Sequence, residues 1–193
     1  MGWAEKLIGK LPVLERNKFM AKKISWGILG AANIAIKSVI PAMQISEFCE
    51  ISAIASRDLE KSKQFAQQLN ISKYYGSYED LLNDSSIDAI YIPLPNHLHL
   101  EWTIKAATAG KHVLCEKPIG LNALEECQLI EIRDKTGVKI QEAFMVRTSQ
   151  KWIAVRDLVK SGRIGKVNAI TMFFSYFNDN KSNIRNILER FAP

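Results

Sequence analysis

The chain has 193 residues, of which 47% are hydrophobic and 24% are charged, and its formal net charge is +6. This composition is typical of one globular domain, or of one domain and part of another, and no stretch approaches the about 20 apolar residues of a membrane span. Lysine and arginine are scattered and form no recognised nucleic-acid motif, so nucleic acid is not an expected partner. Cys49, Cys115 and Cys127 lack metal-binding spacing, which predicts free thiols in a reducing cytoplasm.

Residues 1–23 are predicted to form an N-terminal extension. Apolar residues between Trp3 and Leu14 would line one face of a helix that Pro12 interrupts. These apolar segments are too short for a secretory signal. A loosely packed arm fits the pattern, and so does a helix that binds a membrane surface or a partner.

The first regular segment, residues 24–35, predicts a strand, a tight turn and a helix. An apolar strand over 24–29 runs into Gly30, and a helical pattern continues to about residue 46, with a kink or break expected at Pro41. Backbone N–H groups at such a turn can bind an anion. The dinucleotide-binding pattern G-x-G-x-x-G/A is present with Ala32 at its middle glycine. An ordinary strand-to-helix turn of small residues fits the same segment.

Strands and helices alternate up to residue 143, which predicts a Rossmann-type α/β fold. Its doubly wound parallel sheet would carry helices on both faces, with right-handed crossovers. The predicted strands cover residues 24–29, 50–55, 74–75, 88–92, 113–115 and 138–140. The predicted helices cover residues 33–46, 59–69, 77–82, 96–109 and 122–135, with N-caps at Asp58, Ser77, Asn96 and Asn122. Leu59 is expected on the buried face of its helix.

The pattern changes after residue 145. An amphipathic helix is predicted over 150–160, a turn over 161–165 and a long strand over 166–177, with no second strand pattern before residue 193. A single strand needs pairing partners. The sequence therefore predicts a nucleotide-binding domain over 24–145 and the start of a truncated α+β domain over 146–193.

The stretch Ala55-Ser56-Arg57-Asp58 follows the second predicted strand, where a dinucleotide fold meets the adenosine ribose. An acidic residue there binds the 2′-hydroxyl of NAD, whereas an arginine accommodates the 2′-phosphate of NADP. Ser56 and Arg57 can bind phosphate, and Lys61 in the next helix can add a donor. Asp58 would favour NAD, but capping the helix explains its presence. These residues, and the positive net charge, favour NADP, with NAD as the alternative.

Two further loops follow predicted strands, and open α/β sheets bind ligands at those ends. In Cys115-Glu116-Lys117-Pro118, a partly desolvated lysine could accept the proton of a substrate hydroxyl as hydride leaves. The alternative is a solvated surface lysine with no role in catalysis. The second loop runs from Pro93 to His99. Its two histidines, two residues apart, cannot share a helix face, so no metal site is predicted.

Taken together, these segments resemble one known family. Trp26–Ala35, Ala55–Asp58, Pro95–His99, Gly110–Pro118, Glu142–Met145, Ser161–Lys166 and Asn183–Arg185 are similar to motifs of the glucose–fructose oxidoreductase/inositol dehydrogenase-like (Gfo/Idh/MocA) family of NAD(P)-dependent oxidoreductases. The resemblance implies that Lys117 is the catalytic lysine, and that its bond to Pro118 is cis. It also implies cofactor contacts from Gly30, Ala31, Ala32, Asn33 and Ile34 at the pyrophosphate, Ser56, Arg57 and Lys61 at the 2′-phosphate, and Pro93, Leu94, Asn96, His99, Glu116 and Lys117 around the nicotinamide.

Members of this family are longer than this chain and complete the catalytic site in a second domain. The resemblance therefore predicts an NADP-binding oxidoreductase of a sugar, polyol or related compound, truncated early in that domain, that binds nucleotide with little or no turnover. The full-length relative would be a homo-oligomer in which the second domain supplies subunit contacts. A non-catalytic nucleotide-binding regulatory module and a non-functional remnant are the alternatives.

Overall fold

A computed structural model describes residues 22–175 and 177 of the chain. The predicted extension lies outside these residues up to position 21, and so does the segment 178–193 with its Asn183-Ile184-Arg185 motif. The contacts divide the chain after Met145 into two units. None of the described helices is both long and apolar enough to cross a membrane.

The first unit is built on a six-stranded sheet with the order β3-β2-β1-β4-β5-β6, in which every neighbouring pair is parallel. The strands are β1 Ile24–Leu29, β2 Cys49–Ala55, β3 Lys73–Tyr75, β4 Ala89–Ile92, β5 His112–Glu116 and β6 Ile140–Ala143. This is the Rossmann strand order, and it confirms the predicted fold class. The last strand begins at Ile140, where it pairs with Val113, so the strand predicted over 138–140 was placed too early.

Helices connect these strands. They are α1 Ile40–Gln44, α2 Leu59–Gln68, α3 Tyr78–Leu82, α4 His99–Thr108 and α5 Ala123–Thr136, with a 3-10 turn over Asn96–Leu98 before α4. Three predicted caps are confirmed, because Asp58, Ser77 and Asn122 each accept a backbone N–H three residues ahead at 3.0–3.1 Å. The predicted cap at Asn96 was wrong. Asn96 lies inside the 3-10 turn, whose bonding takes the place of a side-chain cap.

The irregularity predicted at Pro41 takes the form of a π-helical turn. The turn covers Ala35–Val39 and passes directly into α1, which has the proline in its first turn. Proline has no N–H and its ring crowds the preceding turn, so a wider turn before it keeps the chain helical. The segment is therefore distorted at Pro41 without being broken there.

Two apolar clusters fill the two faces of the sheet. Successive strand residues point to opposite faces, so fully buried Ile28 joins one cluster and fully buried Leu29 joins the other. Burial on both faces explains why the central strands read as continuous apolar runs. Leu59 was predicted to be buried, but it is half exposed, because it is the first residue of α2 and has no preceding helical turn to cover it.

The second unit is described by itself. Helix α6 spans Gln150–Lys160, the bounds that the sequence predicts. The strand predicted over 166–177 was wrong for the residues that the structure describes, since positions 166–175 and 177 are assigned to no strand. A strand is held by hydrogen bonds to a neighbour, and no sheet in the described part of the chain takes up this segment.

Candidate functional site

Four loops lie at one edge of the sheet, because the carboxyl ends of parallel strands point the same way. They follow β1, β2, β4 and β5, which are adjacent in the sheet order. The chain winds outward in one direction from β1 and in the other from β4. The point where the winding reverses is where open α/β sheets form a ligand crevice. The fold therefore brings together at this edge loops that are distant in sequence.

The turn after β1 is shaped by Gly30. Its φ is +103°, a value that side-chain-bearing residues rarely adopt, and its N–H donates to the Ala55 carbonyl at 2.8 Å. A Cβ atom at Gly30 would lie 2.8 Å from Cδ2 of Leu94. The backbone thus passes close to the β4 loop, and Ala31 and Ala32 are only partly covered by other residues.

The helical segment begins at Asn33, directly after this turn. The first N–H groups of a helix have no intrahelical partner, so the exposed Asn33 and Ile34 present free donors at the carboxyl edge. The methyl group of Ala32 leaves this approach open, because Ala32 remains partly exposed. Of the five residues predicted at a pyrophosphate, Ala31 and Ala32 are thus partly exposed and Asn33 and Ile34 are exposed, whereas Gly30 is buried beneath the turn.

The loop after β2 carries the residues predicted at the adenosine ribose. Ser56 is buried and its Oγ accepts the Asp58 N–H at 3.3 Å, which leaves the hydroxyl proton available to a ligand. The Asp58 carboxylate accepts the Lys61 N–H at 3.1 Å and is therefore engaged as a helix cap. The side chains of Arg57 and Lys61 are exposed. The loop presents two cations and a hydroxyl group.

Tyr78 lies near both this loop and the β1 turn, and no sequence motif pointed to it. Its hydroxyl lies 3.7 Å from the Cβ position of Gly30. Burial raises the pKa of Tyr78, and the neighbouring Arg57 guanidinium opposes this rise through its charge and a hydrogen bond. The ring of Tyr78 is held edge-on to Trp102, with centroids 4.8 Å apart. Tyr78 therefore lies near both Arg57 and the turn at Gly30.

The β5 loop carries Lys117, whose peptide bond to Pro118 is cis, as the resemblance implied. Glu116 accepts a hydrogen bond from the Tyr91 hydroxyl at 2.7 Å, and burial together with this carboxylate raises the pKa of Tyr91. The Lys117 side chain is exposed. The desolvation that the sequence led us to expect is therefore not provided by the residues that the structure describes.

The β4 loop differs from expectation at His99. Pro93 and Leu94 are buried at the loop and Asn96 is exposed, but the His99 ring is fully buried. Its Nδ1 faces the Pro118 carbonyl at 2.6 Å and its Nε2 faces the Leu94 carbonyl at 2.7 Å. With both nitrogens occupied, His99 has none left for a cofactor or a metal. Its predicted role as a direct cofactor contact therefore needs correction.

The model of a family described as "Oxidoreductase family, NAD-binding Rossmann fold" matches residues 24–144. The chain is 49% identical over 163 residues to an uncharacterized oxidoreductase of Rhizobium meliloti, a match that covers 84% of this chain and 49% of that protein. It is 48% identical over 151 residues to D-xylose 1-dehydrogenase (NADP(+)) 2 of Haloferax volcanii, covering 78% of this chain and 46% of the relative.

Solved structures of oxidoreductases are similar to this chain as well. The 3-ketoreductase KijD10 of Actinomadura kijaniata, crystallised with NADP, superposes with a TM-score of 0.70 at 34% sequence identity, covering 75% of this chain and 46% of that one. The chain thus spans about half the length of the curated and solved relatives that it matches.

Proposed function

Because this chain belongs to the Gfo/Idh/MocA family of oxidoreductases, we propose that it binds NADP at the carboxyl edge of its sheet and serves an oxidoreductase acting on a sugar, polyol or related compound. The substrate class follows the relatives, which include a D-xylose 1-dehydrogenase and a sugar 3-ketoreductase. The free thiols of Cys49, Cys115 and Cys127 fit the reducing cytoplasm as its location.

The observation that carries the proposal is that Arg57 and Gly30 both lie near Tyr78. The Tyr78 hydroxyl lies 3.7 Å from the position of a Cβ atom at Gly30, and the Arg57 guanidinium is close enough to Tyr78 to oppose the rise of its pKa, so the β2 loop and the β1 turn both approach this residue. A dinucleotide with a 2′-phosphate has anionic groups at its pyrophosphate and at its adenosine ribose. The free N–H groups of the turn suit the first group, and Arg57 with Ser56 and Lys61 suits the second.

The remaining loops would handle the nicotinamide end. When bound, NADP supplies or accepts a hydride, and the substrate oxygen must lose or gain a proton in the same reaction. Lys117, exposed at the carboxyl end of β5, would hydrogen-bond that oxygen. Its ammonium form would give a proton to the oxygen when a carbonyl is reduced, and its neutral amine form would take the hydroxyl proton when an alcohol is oxidised. Pro93, Leu94 and Asn96 would form the wall of this part of the site from the β4 loop, and Glu116 would complete it from the β5 loop.

The test is isothermal titration of NADPH and NADH into the parent chain and into Arg57→Ala. A charge-assisted hydrogen bond contributes about 1.5–3 kcal/mol, so the substitution is expected to weaken NADPH binding about 10- to 100-fold and to leave NADH nearly unchanged. Arg133→Ala is the matched control, because Arg133 is an exposed arginine of α5 that pairs with Asp134. Equal losses for both nucleotides would contradict the 2′-phosphate role, and no binding at millimolar concentration would refute the proposal.

A further inference from the structure

The segment Glu116–Ile119, which we call the lysine loop, is fastened by side chains from three other elements. Tyr91 of β4 donates to the Glu116 carboxylate at 2.7 Å, and Glu142 of β6 accepts the Ile119 N–H at 3.1 Å. His99 of α4 meets the Pro118 carbonyl at 2.6 Å. Lys117 itself has no hydrogen bond or ion pair within residues 22–175 and 177. The backbone of the loop therefore determines where Lys117 lies.

His99 holds the β4 loop as well as the lysine loop. Its second ring nitrogen, Nε2, lies 2.7 Å from the Leu94 carbonyl. The ring is fully buried, so water cannot replace either partner. One imidazole thus bridges the two loops that flank the predicted nicotinamide region. Leu94 is also the residue that the β1 turn approaches at Gly30.

Both partners of the ring are carbonyl oxygens, and carbonyl oxygens can only accept hydrogen bonds. A neutral imidazole has one N–H, so one of the two oxygens would face a bare nitrogen lone pair. At 2.6 and 2.7 Å, both carbonyl oxygens are within hydrogen-bond distance of the ring nitrogens. Only a ring that is protonated on both nitrogens satisfies both carbonyls.

We propose that His99 is a positioning residue whose ring carries a proton on both nitrogens and ties the β4 loop to the lysine loop. In this role it sets the place of Lys117 without touching the cofactor or the substrate. The positioning of Lys117 rests on the function proposed above, whereas the two protons follow from the geometry of the ring alone.

Contributions of both signs act on a charged ring at this place. Burial of a charge and the N-terminal end of α4 both oppose it, because the helix dipole is positive there. Against this, two carbonyl dipoles point at the ring. The titratable groups on the neighbouring elements are Glu101 and Lys105 of α4, His97 of the preceding turn, Tyr91 of β4, His112, Cys115 and Glu116 of β5, Lys117 directly after β5, Glu125, Glu126, Cys127, Glu131, Arg133, Asp134 and Lys135 of α5, and Glu142 of β6.

The protons can be observed directly in the parent chain. The sequence contains three histidines, so a long-range ¹H–¹⁵N spectrum shows three imidazole rings. The spectra of His97→Gln and His112→Gln assign two of them, and the third belongs to His99. At neutral pH, both nitrogens of this third ring are expected to have the ¹⁵N chemical shifts of protonated imidazole nitrogens. A pattern with one N–H and one bare nitrogen would overturn the proton assignment, and this measurement requires no His99 variant to fold.

The positioning role is tested with two ligands of different reach. NADPH spans the whole predicted site, whereas adenosine 2′,5′-bisphosphate reaches only the region of Ser56 and Arg57. His99→Gln is expected to weaken NADPH binding about tenfold, the loss for about one hydrogen bond, and to leave bisphosphate binding unchanged. His97→Gln, the same substitution at an exposed histidine, is expected to change neither.

Equal weakening of both ligands in His99→Gln would indicate a general structural role and overturn the positioning role, as would no weakening of either. A parent chain that binds neither ligand would refute the proposed function, and the positioning role with it. The proton assignment would still be decided by the ring spectrum, so the two failures are distinguishable.

Discussion

Substitution of Gly30 by alanine is expected to damage both stability and nucleotide binding, and its cost can be worked out from two local features. The φ of +103° places a new side chain in a strained backbone region, which costs about 1–3 kcal/mol. The new Cβ would also lie 2.8 Å from Cδ2 of Leu94, so that side chain must leave its preferred rotamer at about 1 kcal/mol. The expected loss of unfolding free energy is about 2–4 kcal/mol.

Gly137→Ala provides the matched control. Gly137 has a φ of +71° at the C-terminus of α5, and a Cβ there would meet no atom within 4 Å. This variant carries backbone strain without steric overlap, so a loss of about 1 kcal/mol is expected. Urea unfolding of both variants measures the two losses at an unchanged m-value.

The two variants should also differ in their affinity for NADPH. Displacement of Leu94 disturbs the β1 turn and the β4 loop together, so Gly30→Ala is expected to weaken NADPH binding at least tenfold, a loss of about 1.4 kcal/mol. Gly137→Ala is expected to bind NADPH like the parent. If Gly30→Ala were no less stable than Gly137→Ala, or bound NADPH as tightly as the parent, the close approach at Gly30 would not be what shapes the site.

Two further predictions concern stability alone. Asp84 accepts hydrogen bonds from Lys73, Tyr75 and Ser86, so Asp84→Asn is expected to lower the unfolding free energy in urea by about 1–3 kcal/mol at neutral pH. Burial alone would raise the pKa of Asp84, but these bonds outweigh it and hold the pKa below the ordinary 3.8. Protonation therefore occurs at lower pH in the folded state. The stabilisation is complete above about pH 5 and is lost as the pH falls below 4, so the parent should lose more stability than the variant over that range; parallel curves would contradict this. Asn122→Ala removes the cap of α5 and is expected to cost about 1 kcal/mol in the same assay, and a loss below a few tenths would show that the cap contributes little.

Local rules predicted much of the secondary structure correctly. The caps at Asp58, Ser77 and Asn122 depend on bonds within four residues, and such bonds form from the segment's own atoms. Helix α6 has the predicted bounds for the same reason. The predicted strand over 166–177 failed because a strand depends on a partner that may be far away in the chain, and apolar alternation says nothing about whether that partner is present.

The residues of the candidate site also form two groups, those that local motifs predicted and those that they did not. Gly30, Arg57 and Lys117 were found from motifs that each occupy a few consecutive residues. Tyr78 and Tyr91 lie in no such motif, and Glu142 lies in one that indicated no role for its side chain. Each acts on a loop that is at least 21 residues away in sequence, as Tyr78 does on Arg57. Their roles arise only when the sheet order places their strands or helices beside those loops.

His99 shows the difference between what a sequence pattern predicts and what only the folded chain reveals. The amino-acid sequence was sufficient to predict the parallel αβ order, the positions of most caps and the four loops that hold the site residues, because these follow from apolar periodicity and short motifs. Only the tertiary structure decided that the His99 ring is buried between the Leu94 and Pro118 carbonyls. A histidine in a polar loop looks the same in sequence whether it faces a ligand or the protein interior. Its two partners come from different strand ends, and those ends meet only in the folded sheet.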